Sequence, residues 1–519
     1  MGNKRNKLIL TIITTIGLII CALSAFLFVR FLSSSVNNGS PILTGSSNNS
    51  NNSSTGDSAA PLQDNFFDDY AKPEEYDGPT ISQVDQYIFN SDGKILKDFH
   101  DGERYYLYMN VNADASEAIL VYDDICYYID AELNVTEIAT DIDSAGICYD
   151  GRYCYYITNM KDDKKGIYLY DTKNQNTKLI YEANIINACL SPNGKVLAFF
   201  EYYATPKIHI YENGIEKDVF VADDSSSVEA ISNDANTLFV TEYGNDDSSF
   251  ICIDNEKTIR LSNELLLECY YDRDCKQAMF MDDDGLKYFN SGDKDATIVT
   301  TDTEDLRFEI AAGKRMIISY FDDKYILDTD CFSDALMLYT FDECYALSGS
   351  VPEIICLTNN NPDARSFSMA ITKEGPTCIG SSGGDLVKFS YDGNNVTETI
   401  LFTSDELSLD YVASKTLDKI WFIYDNDVYY ISEGKEPVMV ADQGSKTNFT
   451  LLWDPFSDMC FYVKDNKYLC RVGTDSSEDV RICDYCNSLT NIPGKDNLVG
   501  FYDHNKTKYI VIGDEIIKE

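Results

Sequence analysis

Three histidines, sixteen cysteines and eighty-six carboxylates are the groups in this chain with the means to do chemistry. Their spacing decides what chemistry that is. His100, His209 and His504 lie far apart, and none belongs to an H-E-x-x-H helix, which excludes the common zincin arrangement. His209 sits in an alternating run, 207–211, and reads as a strand residue. No G-x-S-x-G elbow occurs; Gly380-Ser381-Ser382-Gly383-Gly384 lacks its spacing. Neither a dinucleotide fingerprint nor a P-loop is present. Cys483 and Cys486 form the one close thiol pair, a candidate disulfide or redox pair with Cys470 as a third partner. No second pair or nearby His completes a zinc set around them. Other cysteines, such as Cys126, Cys252, Cys356 and Cys460, stand inside apolar runs, where a thiol acts as a small hydrophobe. Asp282-Asp283-Asp284-Gly285 and Asp322-Asp323 depart from the alternating ligand order of a calcium loop and read as acidic turns. Weak, millimolar calcium binding is the most they would support, and no cofactor is expected. With this many acids a glycosidase-like pair arises by chance, so no catalytic residue is assigned.

The elements that carry these residues repeat. From Tyr105 onward a tight-turn cluster is followed by a short apolar strand, a polar break and a second strand rich in Tyr and Ile. Ser191-Pro192-Asn193-Gly194-Lys195-Val196-Leu197-Ala198-Phe199 is the clearest copy. Anchored on their turns, the units fall at Ser116, Gly151, Gly194, Ala235, Cys275, Gly313, Pro352, Asp418, Asp458 and Asp496. Successive gaps are 35 to 43 residues, apart from one of 66. A period near 40 with about four strands per unit is the spacing of β-propeller blades. One such sheet cannot bury both of its faces alone, whereas stacking sheets around an axis does so. The expected fold is all-β: a propeller of about 8–10 repeat units after an N-terminal transmembrane helix, a single ring being favoured over two smaller rings. The last unit shows three strands, so segments 84–89 and 95–99 are expected to complete it and close the circle. The 66-residue gap carries an extra stretch, roughly 358–385, read as a surface excursion or an elongated blade. Asn359, Asn360, Asn361, Asp363, Arg365, Ser381, Ser382 and Asp385 in it are the candidate binding-loop residues.

The phrase from Ser191 to Phe199 resembles the S-P-D-G-K-x-[IL]-A-F phrase of TolB-like, WD40-like propeller repeats. The chain as a whole is similar to membrane-anchored propeller proteins of clostridia and related Gram-positive bacteria. The resemblance covers about residues 84–519 as a repeat style, and only 191–199 closely. Ser232-Asn233-Asp234-Ala235 lacks both the Pro and the Gly, and Asp454-Pro455-Phe456-Ser457 lacks the Gly. The phrase implies a fold and carries no catalytic residue.

Residues 8–29 are apolar and uncharged, follow Lys4, Arg5 and Lys7, and are long enough to span a bilayer as a helix. After Arg30 the next basic residue is Lys72, so the charge asymmetry places the N-terminus in the cytoplasm. The run is longer than the apolar core of a cleaved signal peptide, the rival reading. The expected order is a short cytoplasmic N-terminus at 1–7, a transmembrane helix at 8–32, a Ser/Asn-rich disordered tether at 33–65 and an extracytoplasmic propeller at 66–519. This is a single-pass plasma-membrane protein. Residues 1–63 hold four basic residues and one acid, so the body is more acidic still than the whole chain's −44. Such a surface repels nucleic acid and anionic headgroups. The expected function is non-enzymatic: a tethered binding or scaffolding module for a protein, peptide or envelope glycan. The alternatives are a carbohydrate hydrolase or lyase with carboxylates in a central channel, and a sensor or accessory subunit of a membrane complex.

Overall fold

The computed structural model describes residues 78–518, apart from 100–106, 159–165, 244–247, 302–306, 310–335, 340–343, 349–352, 405–408, 443–449, 492–497 and single or paired positions elsewhere. The helix assigned to 8–32 and the tether at 33–65 lie outside the described residues; the chain divides into two units, 1–64 and 65–519. No helix among the described residues is long and apolar enough to cross a membrane.

Among the described residues the second unit is built of eleven antiparallel sheets, each a meander of strands consecutive in sequence. Sheet 1 (81–98) has three strands. Ten sheets have four: sheet 2 (107–140), sheet 3 (142–181), sheet 4 (185–221), sheet 5 (226–262), sheet 6 (268–300), sheet 7 (307–356), sheet 8 (364–402), sheet 9 (411–442), sheet 10 (452–483) and sheet 11 (488–518).

The middle strands read as unbroken apolar runs because both of their faces are covered. In the second strand of sheet 4, Val196–Glu201, side chains alternate across the sheet. Val196, Ala198 and Phe200 enter the core shared with sheet 5, while Leu197 and Phe199 enter the core shared with sheet 3. Sheet 10 repeats the scheme: Cys460 and Tyr462 face sheet 9, and Phe461 and Val463 face sheet 11. Fourth strands, such as Ile215–Val221, are mostly exposed. In eight sheets the fourth strand also carries one extra residue opposite the third, for example Ile180 in sheet 3 and Leu401 in sheet 8. Such bulges break the regular ladder that an exposed edge would otherwise offer.

The repeated turn has one hydrogen-bond plan. A side chain at its first position accepts from the backbone N–H five residues on: Asn112 from Glu117 (3.0 Å), Ser191 from Val196 (3.0 Å), Ser232 from Thr237 (3.0 Å), Asp272 from Gln277 (2.6 Å). The residue three beyond the first has positive φ: Ala115, Gly194, Ala235 and Cys275. The sequence anchors Gly194, Ala235 and Cys275 fall on this position. Neighbouring turns are joined along one rim: Ala113 N–H donates to the Tyr149 carbonyl (2.8 Å) and Asp150 N–H to the Pro192 carbonyl (3.0 Å).

Three expectations are corrected. Eleven sheets replace 8–10 units. Pro352 lies between the third and fourth strands of sheet 7, Cys344–Ser348 and Glu353–Cys356, and starts no new unit. Of the two readings of the 66-residue interval, the surface excursion fails: the interval holds sheet 8, whose first two strands are long, Ala364–Thr372 and Gly375–Ser382. Finally, sheet 11 has four strands of its own, so 84–89 and 95–99 do not complete it. They pair with each other in sheet 1. Sheet 1 packs on sheet 2 through Ile81, Ile88 and Phe99, and on sheet 11 through Val84 and Phe89 against Leu498, Ile510 and Ile512.

Candidate ligand-binding face

First strands of successive sheets lie beside one another and are joined by side chains. Asn110, in Leu107–Val111, donates from Nδ2 to the Ala145 carbonyl of the next first strand at 2.9 Å. Asn187, in Ile185–Leu190, donates to the Ser226 carbonyl and accepts from Val228 N–H, both at 3.0 Å. Tyr155 Oη donates to the Ala188 carbonyl at 2.7 Å. In sheet 9, Tyr411 Oη donates to the Ile379 carbonyl (2.5 Å) and accepts from Ser368 N–H (3.1 Å). These bonds add polar ties to first strands that also bury apolar side chains, such as Ile142 and Ile147 in sheet 3 and Val228 and Ile231 in sheet 5.

Sheets 3, 4 and 5 each carry a bulge in the first strand, at Asp143, Ile186 and Glu229. The extra residue is second in the strand in sheets 3 and 4 and fourth in sheet 5, and each is turned out of the ladder. Ile186 is 47% exposed and Asp143 is exposed. The three residues, two acids and one apolar, give the face mixed polarity.

The residues able to do chemistry are committed elsewhere. His209 is 3% exposed, with Phe199 stacked at 5.0 Å, and its ring nitrogens lie 2.8 Å from Glu201 and 3.0 Å from Glu216. Burial and the neighbouring Glu216 push the Tyr211 hydroxyl up to about 12. Asp171 is held by Arg152 and by Asn174, and Asp254 accepts from Ser291 and Gly292 N–H. Asp282 pairs with Lys287 (2.7 Å) and accepts from Ser262 (2.6 Å), and Lys287 also reaches Asp284 (3.2 Å), so one lysine bridges two of the three acids of the turn at 282–285. Asp454 binds Ser457 and Arg471. Burial raises Asp272, but that carboxylate is the acceptor of its own turn. Among the described residues no second raised carboxylate stands beside it, and no group of three or more His, Cys, Asp or Glu is arranged to hold a metal.

Cys483 and Cys486 are free thiols, both buried. Burial raises Cys483, lifts Cys486 to about 12 and Cys470 to about 11, the reverse of what a reactive thiolate needs. Of the candidate loop residues, Asn359, Asn360 and Asp363 lie outside the described residues. Arg365 is in the first strand of sheet 8, Ser381 and Ser382 in the second, and Asp385 opens the third. Asn361 accepts from Ser382 Oγ at 2.6 Å, and buried Ser381 accepts from Leu409 N–H of the next repeat at 3.3 Å. The bridging asparagines and the first-strand bulges were not anticipated. An Asn inside a short strand gives no signal of a partner thirty-five residues away.

No family model and no curated protein matches the chain. Several solved structures are similar to it at low score. The β-propeller domain of the Trilobed protease from Pyrococcus furiosus aligns at TM-score 0.29 and 11% identity, over 66% of this chain and 99% of that one. A putative TolB from Agrobacterium tumefaciens aligns at 0.29 and 10%, over 51% and 83%. TolB from Acinetobacter baumannii aligns at 0.25 and 14%, over 58% and 63%. Scores of this size carry no argument about function.

Proposed function

We propose that this chain is a membrane-tethered, extracytoplasmic binding module of TolB-like propeller type. Its eleven sheets would form a single ring, and its first strands would present a binding face to a protein, peptide or envelope glycan. The observation that carries this reading is the face itself. Asp143, Ile186 and Glu229 are turned out by first-strand bulges in three successive sheets, which Tyr155 and Asn187 tie one to the next. A preorganised surface loses little entropy on binding. The apolar run at 8–29, with its basic flank, supports the tether and the orientation. The pairing of the buried acids and His209 within the sheets favours binding over catalysis.

The test is photo-crosslinking on intact cells, comparing the natural chain with the triple variant Asp143→Lys, Ile186→Asp, Glu229→Lys. Asp143 and Ile186 are exposed and Glu229 is half-buried, so circular dichroism checks that the variant keeps its fold. A partner captured by the natural chain and lost from the variant is expected. The same partner on both, or release of cleaved envelope fragments by the purified chain, overturns the reading. Protease added outside intact cells is expected to digest the body; full protection would place it in the cytoplasm.

A further inference from the structure

A cleft of about 250 Å³ opens between the third strand of sheet 1, Ile95–Asp98, and the hairpin of sheet 2 formed by Ala118–Tyr122 and Ile125–Ile129. Its floor is aromatic. The rings of Phe99 and Tyr122 lie 4.6 Å apart, and each residue is 6% exposed. Tyr122 Oη donates to the Phe99 carbonyl at 2.8 Å, which fixes both rings. Tyr127 forms a partly exposed wall, 5.4 Å from Phe99.

The polar groups around this floor are of both signs. Lys97 Nζ stands 5.4 Å from the Phe99 ring centre and 6.0 Å from that of Tyr127, with no carboxylate partner among the described residues. Asp98 and Asp123 are exposed at the edge of the same cleft.

This mixture selects among ligand classes. An anion gains Lys97 but meets two carboxylates and a strongly negative protein. An organic cation gains the carboxylates but must share the aromatic faces with the Lys97 ammonium. A neutral polyol meets no charge of its own sign: its hydroxyls donate to Asp98 and Asp123 and accept from Lys97, and its C–H face lies against the partly exposed Tyr127 ring. The volume falls below the roughly 300–1,000 Å³ of a drug-sized site, which fits one sugar ring and no more.

We propose that this cleft binds a single pyranose ring of a neutral glycan. The site is separate from the first-strand face and does not depend on what that face binds. The probes are the methyl pyranosides of glucose, galactose, mannose and N-acetylglucosamine, added to the intact chain and followed by saturation-transfer NMR. At least one is expected to bind with a Kd of a few millimolar, the range open to a ligand of this size. Tyr127→Ala should weaken it about tenfold and Lys97→Met a few-fold, with circular dichroism unchanged in the second variant. Binding should be equal at about 50 mM and about 500 mM NaCl, since the ligand is uncharged. The proposal is overturned if none of the four sugars shows transfer, or if both variants bind like the natural chain. It is equally overturned if tetramethylammonium or methyl glucuronide binds more tightly than every neutral sugar. Should the sugars fail while the crosslinked partner of the first-strand face persists, only this inference falls.

Discussion

Substituting Gly93 tests whether sheets 1 and 11 meet as described. Gly93 has φ +74°, and a Cβ built there would lie 2.4 Å from Gly513 Cα and 2.7 Å from Gly513 N. Both atoms are backbone and cannot rotate aside. Gly434 is the control: its φ is +69°, and nothing stands within 4 Å of its would-be Cβ. Alanine at either position takes on the cost of a left-handed backbone, about 1–2 kcal/mol. Alanine at 93 also overpacks the contact, adding about 1–3 kcal/mol. Gly93→Ala should therefore lose about 2–5 kcal/mol and Gly434→Ala about 1–2 kcal/mol, read from urea unfolding of the intact chain. Hydrogen exchange should locate the first loss in strands Tyr87–Asn90 and Lys508–Ile512, with sheets 4 and 5 still protected. Equal destabilisation by the two alanines would refute the contact between the first and last sheets.

Other outcomes follow from single sites. Arg152→Met strands the buried Asp171 carboxylate and should cost about 3–5 kcal/mol, most of it recovered in the Arg152→Met, Asp171→Leu double variant; failure of the second change to rescue would show that packing, not charge, sets the cost. Trp421 is fully buried and donates from Nε1 to the Gly473 carbonyl at 2.9 Å. Trp421→Phe leaves that carbonyl unsatisfied and should lower stability by about 1–3 kcal/mol, measured by urea midpoint. Burial lifts the Cys148 and Cys486 thiols to about 12, above the roughly 8.5 of an unfolded thiol. Their contribution to stability is fully present below about pH 8.5 and is lost as pH rises toward 12, because the unfolded chain releases those protons first. Stability should fall between pH 8.5 and 10, and Cys486→Ala should flatten that slope; an unchanged slope would count against the buried thiol.

The repeat was legible because its turn is chemically marked. A Ser, Asn or Asp accepts the N–H five residues on, and a residue three beyond it takes positive φ, so Ser191 with Gly194 and Ser232 with Ala235 stand out even as the Pro is lost. Sheet 8 was misread for the opposite reason. Its strands run through Gly380, Ser381 and Ser382, small polar residues with loop-like local preference, and neighbouring sheets override that preference. Its first turn, Thr372 to Gly375, carries no such phrase. The terminal strands were mistaken for a missing edge because pairing partners are set by register, which composition does not encode. His209 was rightly read as a strand residue. Its carboxylate partners, Glu201 and Glu216, come from the two flanking strands, and only the fold brings them to one imidazole.

Each sheet here is complete in itself, all of its strands coming from one uninterrupted stretch of chain, and none is borrowed from the far terminus. A gene for such a protein can gain or lose a block of about forty codons by slippage between repeats without rethreading what remains, since the new block brings its own four strands and its own two faces. Copy number then becomes a heritable variable set by recombination. Close relatives should differ in copy number by whole blocks and not by fractions of one.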